Sequence, residues 1–323
     1  MRVFVTAFLL SLLLISCGDA ALKEYSLQVV AEYPHDTESY TQGLFFQDGQ
    51  LYESTGLHGK STFRKVDIAT GKAIERLNFD EKYFVEGSVM WKDNLYILTW
   101  ETRTAFIYDA NTLEYKSTWK YPREGWGITT DGRHLIASDG SANLYFMDEN
   151  FAQKRKVLVT IEGRPVRFLN ELEYIDGRIW ANVYTSDEIV MINPKDGKIE
   201  GVINCKGLLP KESRTKDTDV LNGIAYDSST GKIYLTGKNW PKLYEIKLIE
   251  KTRRSVGIIS FFNYDNGFIP FLLRSTFWNL YPRRLSCSEA PVRNITLTVR
   301  ANMWKAFTVW CSICSCLMNV DAF

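Results

Sequence analysis

The chain has 323 residues, 45% of them hydrophobic and 14% aromatic, with 39 Lys/Arg against 38 Asp/Glu. Eight of those cations and three of the acids follow Lys251, leaving 31 against 35 before it, so the body is mildly acidic and carries no electrostatic footprint for nucleic acid. Between residue 18 and Lys251 there is one cysteine, Cys205, which excludes an internal disulfide framework there.

Residues 1–17 read as an export signal. Arg2 supplies the positive start, and Val3 to Ile15 is an apolar run too short to span a membrane as a mature helix. Leu14-Ile15-Ser16-Cys17 has the form of a bacterial lipobox, with Cys17 as the lipidated residue; the competing reading is an ordinary cleaved signal with Cys17 incidental. The expectation is an exported protein, a periplasmic or cell-envelope lipoprotein or else a secreted one, whose contact with membrane is confined to that anchor.

Next comes a strand-like run, Tyr25 to Tyr33, and then a register that recurs five times. Gln42-Gly43, Glu86-Gly87, Trp126-Gly127, Asn170-Glu171 and Asn222-Gly223 are equivalent starts, separated by 44, 40, 44 and 52 residues. Each opens a strand-like run, a turn (Asp48-Gly49, Asp93-Asn94, Asp131-Gly132, Asp176-Gly177) and a second run ending near Gly56, Trp100, Gly140, Tyr184 or Lys238. An outer hairpin follows in four units, as in Phe63 to Asn78 around Ala69-Thr70-Gly71. The fifth unit has three runs only, Asn222 to Asp227, Lys232 to Thr236 and Lys242 to Ile249, and Tyr25 to Tyr33 is the missing fourth. Self-similarity at this period predicts an all-β fold, a five-bladed β-propeller over residues 18–251 with its ring closed by the N-terminal strand; an open solenoid is the competing array.

Residues 252–323 break the pattern. Ser255 to Phe277 is apolar without clean periodicity, and Cys287, Cys311, Cys314 and Cys316 crowd the end. Cys311-x-x-Cys314-x-Cys316 lacks a histidine partner in this segment, and Asn294-Ile295-Thr296 is a sequon of a kind common by chance. The segment reads as a disordered tail or a non-native reading frame, with a membrane-touching appendage as the alternative.

Strand one of each propeller unit lines the central channel and strand two returns beside it, so the starts of the first and the ends of the second share one rim. That brings together Gln42, Glu86, Trp126, Asn170 and Asn222 with Trp100, Tyr184 and Lys238: one carboxyl, one cation, three amides and three aromatics. The histidines His35, His58 and His134 are scattered without a Cys or acidic cluster, so no catalytic metal is expected; the Asp-bearing run Thr215 to Asp219 is the one candidate for a structural calcium.

Several words along residues 27–251 carry a resemblance: Tyr33-Pro34-His35-Asp36, Tyr40-Thr41-Gln42-Gly43-Leu44, Glu53-Ser54-Thr55-Gly56, Phe84-Val85-Glu86-Gly87, Leu98-Thr99-Trp100, Gly125-Trp126-Gly127, Asn170-Glu171-Leu172-Glu173, Trp180-Ala181-Asn182-Val183, Leu221-Asn222-Gly223-Ile224-Ala225 and Thr236-Gly237-Lys238. Together they resemble the plant and bacterial type of glutaminyl cyclase, the glutamine cyclotransferase family. The resemblance implies an enzyme that converts the N-terminal glutamine of peptides and proteins to pyroglutamate with release of ammonia. It implies Glu86 as the catalytic acid, Gln42, Asn170 and Lys238 as polar pocket residues, and Phe84, Trp100 and Trp126 as aromatic walls. Tyr184 stands where Trp is usual and Tyr40 where Phe is usual.

The chemistry of the rim agrees with that assignment. Cyclisation needs a free α-amine and a carboxamide that leaves as ammonia, and one carboxyl can take the proton from the first and give it to the second. Aromatic walls would raise Glu86 toward neutrality, while the Lys238 cation would oppose the rise. Substrate partners are therefore Gln-initiated peptides, and a monomer is expected. A non-catalytic peptide- or glycan-binding propeller and a passive scaffold are the competing classes; a lone carboxyl among aromatics separates them from an enzyme.

Overall fold

Alternation of apolar and polar residues at a spacing of two turns most of the described chain, residues 22–251 of a computed structural model, into short strands. The signal with Cys17 and the tail with Asn294, Cys287, Cys311, Cys314 and Cys316 lie outside the described residues. The N-terminal strand β1 (Lys23–Pro34) is followed by a meander of β2 (Thr41–Gln47), β3 (Gln50–Thr55), β4 (Thr62–Asp67) and β5 (Lys72–Asn78). A second comprises β6 (Val85–Trp91), β7 (Asn94–Thr99), β8 (Thr104–Asp109) and β9 (Tyr115–Lys120). A third comprises β10 (Ile128–Thr130), β11 (Leu135–Ala137), β12 (Asn143–Met147) and β13 (Gln153–Leu158), then the small hairpin β14 (Thr160–Ile161) and β15 (Arg164–Pro165). The fourth runs through β16 (Leu169–Ile175), β17 (Arg178–Val183), β18 (Glu188–Ile192) and β19 (Ile199–Asn204), and the last has β20 (Leu221–Asp227), β21 (Lys232–Gly237) and β22 (Lys242–Glu250).

The fold is all-β, with the first three meanders as separate four-stranded antiparallel sheets. β1 lies antiparallel to β22, from Tyr25 opposite Glu250 to Pro34 opposite Lys242, and so supplies the fourth strand of the last group. Its first residues also pair in parallel with β19, Lys23 opposite Gly201 through Ser26 opposite Asn204, which fuses the last two groups into one eight-stranded sheet. The turns follow their residues: Asp48 (φ 51°) and Gly49 (φ 75°) are both left-handed, as a two-residue turn that matches strand twist requires. The turn between β6 and β7 is Lys92-Asp93, one residue earlier than the sequence suggests, because Trp91 pairs with Asn94 and Lys92 takes the positive φ.

Each sheet buries both faces. Leu44 and Val66 pack on Ala225 and Tyr234, whereas Phe45 and Phe63 pack on Val85 and Leu95. The next interfaces join Tyr96 and Leu98 to Leu135 and Met147, Ile136 and Phe146 to Leu172 and Ile179, and Trp180 and Ile189 to Leu235 and Tyr244. Chain neighbours such as Leu44 and Phe45 serve opposite interfaces, as the two-residue period demands. The inner strands meet in turn: β2 contacts β6, β6 contacts β10, β10 contacts β16, β16 contacts β20, and β20 contacts β2. Their approach is close enough that a Cβ on Gly127 would collide with the carbonyl oxygen of Asn170. In β16 the corresponding position is Glu171, whose carboxylate accepts from Leu44 N at 3.4 Å and Ile224 N at 2.9 Å, tying β16 to β2 and β20.

Candidate active site

Four of the inner strands begin with an irregularity. The pairing register shifts between Thr41 and Gly43, between Val85 and Ser88, between Leu169 and Leu172, and between Leu221 and Ile224. Gln42 lies inside the first, and Glu86-Gly87, Asn170-Glu171 and Asn222-Gly223 lie inside the other three. A bulge leaves its extra residue out of the ladder and re-aims its side chain, which is why polar groups can stand at the head of otherwise apolar strands.

These side chains meet. The Asn222 amide donates to Thr41 O at 2.9 Å and to Gln42 Oε1 at 3.4 Å. Gln42 Nε2 in turn donates to Glu86 Oε1 at 3.0 Å. The resemblance implies Gln42 as a polar pocket residue; here one of its N–H groups fixes the Glu86 carboxyl, and Asn222 fixes Gln42. Asn170 is buried with its Oδ1 unpartnered, and its backbone oxygen accepts from Ser138 Oγ at 2.7 Å.

Around them runs a closed circuit of seven side chains. The Trp100 indole N–H donates to Glu124 Oε2 at 3.0 Å, and the Trp126 indole N–H points to the same oxygen at 3.4 Å. Trp126 meets Tyr184 edge to face at 5.8 Å between ring centres. The Lys238 ammonium lies 5.2 Å from the Tyr184 ring and 4.7 Å from the Tyr40 ring. Tyr40 meets Phe84 at 6.2 Å, and Phe84 meets Trp100 at 5.6 Å, both near perpendicular. Small residues make room for the rings: a Cβ on Gly140 would lie 2.7 Å from the Trp126 ring, and Gly140 holds a left-handed φ of 75°.

Burial raises both Glu86 and Glu171 well above the ordinary carboxyl range, and their partners tell them apart: Glu171 accepts from two backbone N–H groups of neighbouring strands, Glu86 from the Gln42 amide. After burial, Lys238 pulls Glu86 back and Glu124 pushes it further up. Burial lowers the Lys238 ammonium, against the opposing pull of Glu86 and Asp219. Asp219 also accepts the Tyr40 hydroxyl at 2.6 Å and its neighbour's Val220 N–H at 2.8 Å, so its carboxylate is engaged within the protein. Glu173, lifted by burial to about 8, accepts from Tyr226 N at 3.1 Å and Thr129 Oγ1 at 3.4 Å, a bracing role like that of Glu171. Among the described residues no three His, Cys, Asp or Glu side chains converge as a metal site.

Of the residues expected from the sequence, hydrogen bonds join Gln42, Glu86 and Asn222, ring and ion contacts join Phe84, Trp100, Trp126, Tyr184 and Lys238, and Asn170 Oδ1 stands without a partner; Glu124, within the circuit, was not among those expected. The signal for Glu124 is a third register, two residues before each start: Tyr40, Phe84, Glu124, Phe168 and Val220. The backbone oxygens of Tyr40, Phe84, Phe168 and Val220 accept from the N–H groups of Gly56, Trp100, Tyr184 and Lys238, closing each loop at the rim.

The family model described as glutamine cyclotransferase matches residues 3–248. A glutaminyl-peptide cyclotransferase of Arabidopsis thaliana is 45% identical over 236 residues, spanning 71% of this chain and 73% of that protein. The crystal structure of a glutaminyl cyclase from Myxococcus xanthus superposes with a TM-score of 0.66 at 33% identity, covering 72% of this chain and 100% of that one.

Proposed function

The chain belongs to the glutamine cyclotransferase family, and from that premise we propose that Glu86 carries its reaction as a proton shuttle. The reaction is that of a glutaminyl-peptide cyclotransferase: an N-terminal glutamine becomes pyroglutamate and ammonia leaves. What supports Glu86 is its position. It is the buried carboxyl held by Gln42, and it acts electrostatically on Lys238, Glu124 and Tyr40 of the encircling side chains.

The free α-amine of the substrate attacks its own γ-carbonyl carbon, forming the ring C–N bond. The carbonyl oxygen gains charge, and the Lys238 ammonium with the Asn170 amide stabilises it. Glu86, as the carboxylate, takes a proton from the ring nitrogen and gives it to the departing carboxamide nitrogen. The old C–N bond breaks, the carbonyl reforms, ammonia leaves, and Glu86 is again a carboxylate. With Gln42 on Oε1, Oε2 is the oxygen that moves the proton. Trp100, Trp126, Phe84 and Tyr184 hold the side chain curled so that amine and carbonyl meet.

We read the strand groups as five blades, with β1 closing the ring on β22; five apolar interfaces and the cyclic order of inner-strand contacts support this. The step we propose needs no metal, so dialysis against a strong zinc chelator should leave activity intact. Loss restored by zinc would refute it, and loss restored only by calcium would indicate a structural ion in the 215–219 loop. We further propose export as a monomer, with anchoring at Cys17; labelling with radioactive palmitate, abolished in Cys17→Ala, tests the anchor. The assignment of Glu86 is tested by Glu86→Gln, which keeps the shape and removes the proton acceptor.

A further inference from the structure

Glu124 has no role in the mechanism above, yet its placement is specific. It stands between two fixed points. Gly125 N donates to Thr99 O at 3.0 Å, beside Trp100, and Trp126 N donates to Ser138 O at 3.3 Å. A Cβ on Gly125 would lie 2.9 Å from Thr99 O and 2.5 Å from the Leu98 Cβ, so only glycine lets the backbone approach this closely. From that anchorage one carboxylate oxygen reaches both indole N–H groups, Trp100 at 3.0 Å and Trp126 at 3.4 Å. The two rings come from different sheets, Trp100 from the end of β7 and Trp126 from just before β10.

We propose that Glu124 is a positioning residue of the cyclisation site: its single carboxylate oxygen fixes the mutual angle of Trp100 and Trp126, the walls between which the glutamine side chain is curled. An indole N–H is a donor only, so without Glu124 each ring loses its polar anchor and is held by packing alone, Trp100 on Phe84 and Trp126 on Tyr184. The same carboxylate is the one negative charge acting on Glu86, against the positive charge of Lys238; the Tyr40 hydroxyl is the remaining titratable group facing it. Glu124 therefore also adds to the proton affinity of the shuttle, after burial and against Lys238. A glutamine here keeps an oxygen for the indoles and loses the charge, whereas an alanine loses both.

The inference rests on Glu86 being the shuttle, and the full-length chain separates the two ideas. If the wild-type protein cyclises a Gln-initiated peptide and Glu86→Gln does not, that reading holds, and the Glu124 variants are then informative on their own. Glu124→Ala should lose between about ten- and a hundredfold in kcat/KM, mostly as raised KM, with its near-ultraviolet tryptophan circular dichroism altered at an unchanged thermal midpoint. Glu124→Gln should keep KM close to wild type. Its kcat/KM divided by that of wild type, measured on one substrate so that the substrate amine cancels, should rise roughly two- to tenfold as pH falls, because Glu86 deprotonates more readily without the neighbouring charge. A folded Glu124→Ala enzyme with wild-type KM and an unchanged tryptophan signal overturns the positioning role. Should Glu124→Ala not fold, Glu124→Asp takes its place: it keeps the charge and draws the oxygen back from the indoles, and a wild-type KM with an unchanged tryptophan signal overturns the proposal, whereas a pH-independent ratio for Glu124→Gln overturns the electrostatic effect on Glu86.

Discussion

Burial and charge act in opposite directions on Glu86, and each has a separable consequence for rate. Glu86→Gln should fold normally and lose about 10²–10⁴-fold in kcat, the usual contribution of a general acid–base group. Because burial raises this carboxyl, the acid limb of kcat/KM, after the ionisation of the substrate amine is divided out, should lie above the ~4.3 of an ordinary glutamate. Lys238 lowers it, so Lys238→Met should move that limb to higher pH while cutting kcat by about 10²–10³-fold through loss of oxyanion stabilisation. Pre-steady-state and steady-state pH profiles on one Gln peptide check both, and a Lys238→Met limb at lower pH would contradict the electrostatics. Most of the site was legible because the bulge that opens four of the five inner strands repeats, so Gln42, Glu86, Asn170 and Asn222 stand in register. What the register could not give was partnership. Asn222 and Gln42 look like equal rim donors, but the fold uses the first to hold the second and the second to hold Glu86. Glu124, beside Arg123 and a glycine, has the composition of a solvated loop, and only the common place of Tyr40 and Phe84 marks it.

The strand that joins the ends is anchored by a buried charge network as well as by its ladder. His35 follows β1 directly, and its ring nitrogens contact two acceptors, Trp240 O at 2.7 Å and Glu53 Oε1 at 3.0 Å. Both nitrogens must then donate, so this ring is an imidazolium. Arg64 bridges Glu53 at 2.6 Å and Asp36 at 2.8 Å, and also bonds Ser39. Burial opposes the Glu53 charge, but Arg64 and then His35 outweigh it and hold the carboxyl at about 2. His35 is raised, its burial overcome first by Glu53. The signs differ. The Glu53 contribution to stability is in place above the unfolded value of ~4.3 and fades as pH falls toward about 2. The His35 contribution is full below the unfolded ~6.5 and is lost as pH climbs through its higher folded value. Thermal midpoints across pH should fall on both sides, and His35→Ala should flatten the alkaline side and, because the imidazolium helps hold Glu53 down, weaken the acid side in part; an unchanged alkaline slope would remove His35 from the account. The closing strand was readable from the three-run fifth unit. The network was not, because His35, Glu53 and Arg64 lie in three separate segments that only the seam between β1 and β2 brings together.

Five apolar interfaces distribute the stability of the whole molecule, and one of them, between the first and last strand groups, is flanked by Tyr33 of the N-terminal strand. Phe63, fully buried beside Phe45 and Leu95, should cost about 3–5 kcal/mol as Phe63→Ala. Deleting Lys23–Pro34 uncovers β22 and leaves an open edge, so that variant should aggregate, whereas a chain ending at Lys251 should stay soluble and active. A soluble, active deletion of the N-terminal strand would show that the ring does not depend on it. Activity also belongs to this scale, since Gln42, Glu86, Glu124, Tyr184 and Lys238 come from five different strand groups and meet only when all are assembled. The measurement that bears on this most directly is mass spectrometry of a Gln-initiated peptide incubated with the full-length protein and, in parallel, with Glu86→Gln. The account predicts loss of one ammonia from the peptide with the wild-type chain and almost none with the variant; equal conversion by both proteins would contradict it.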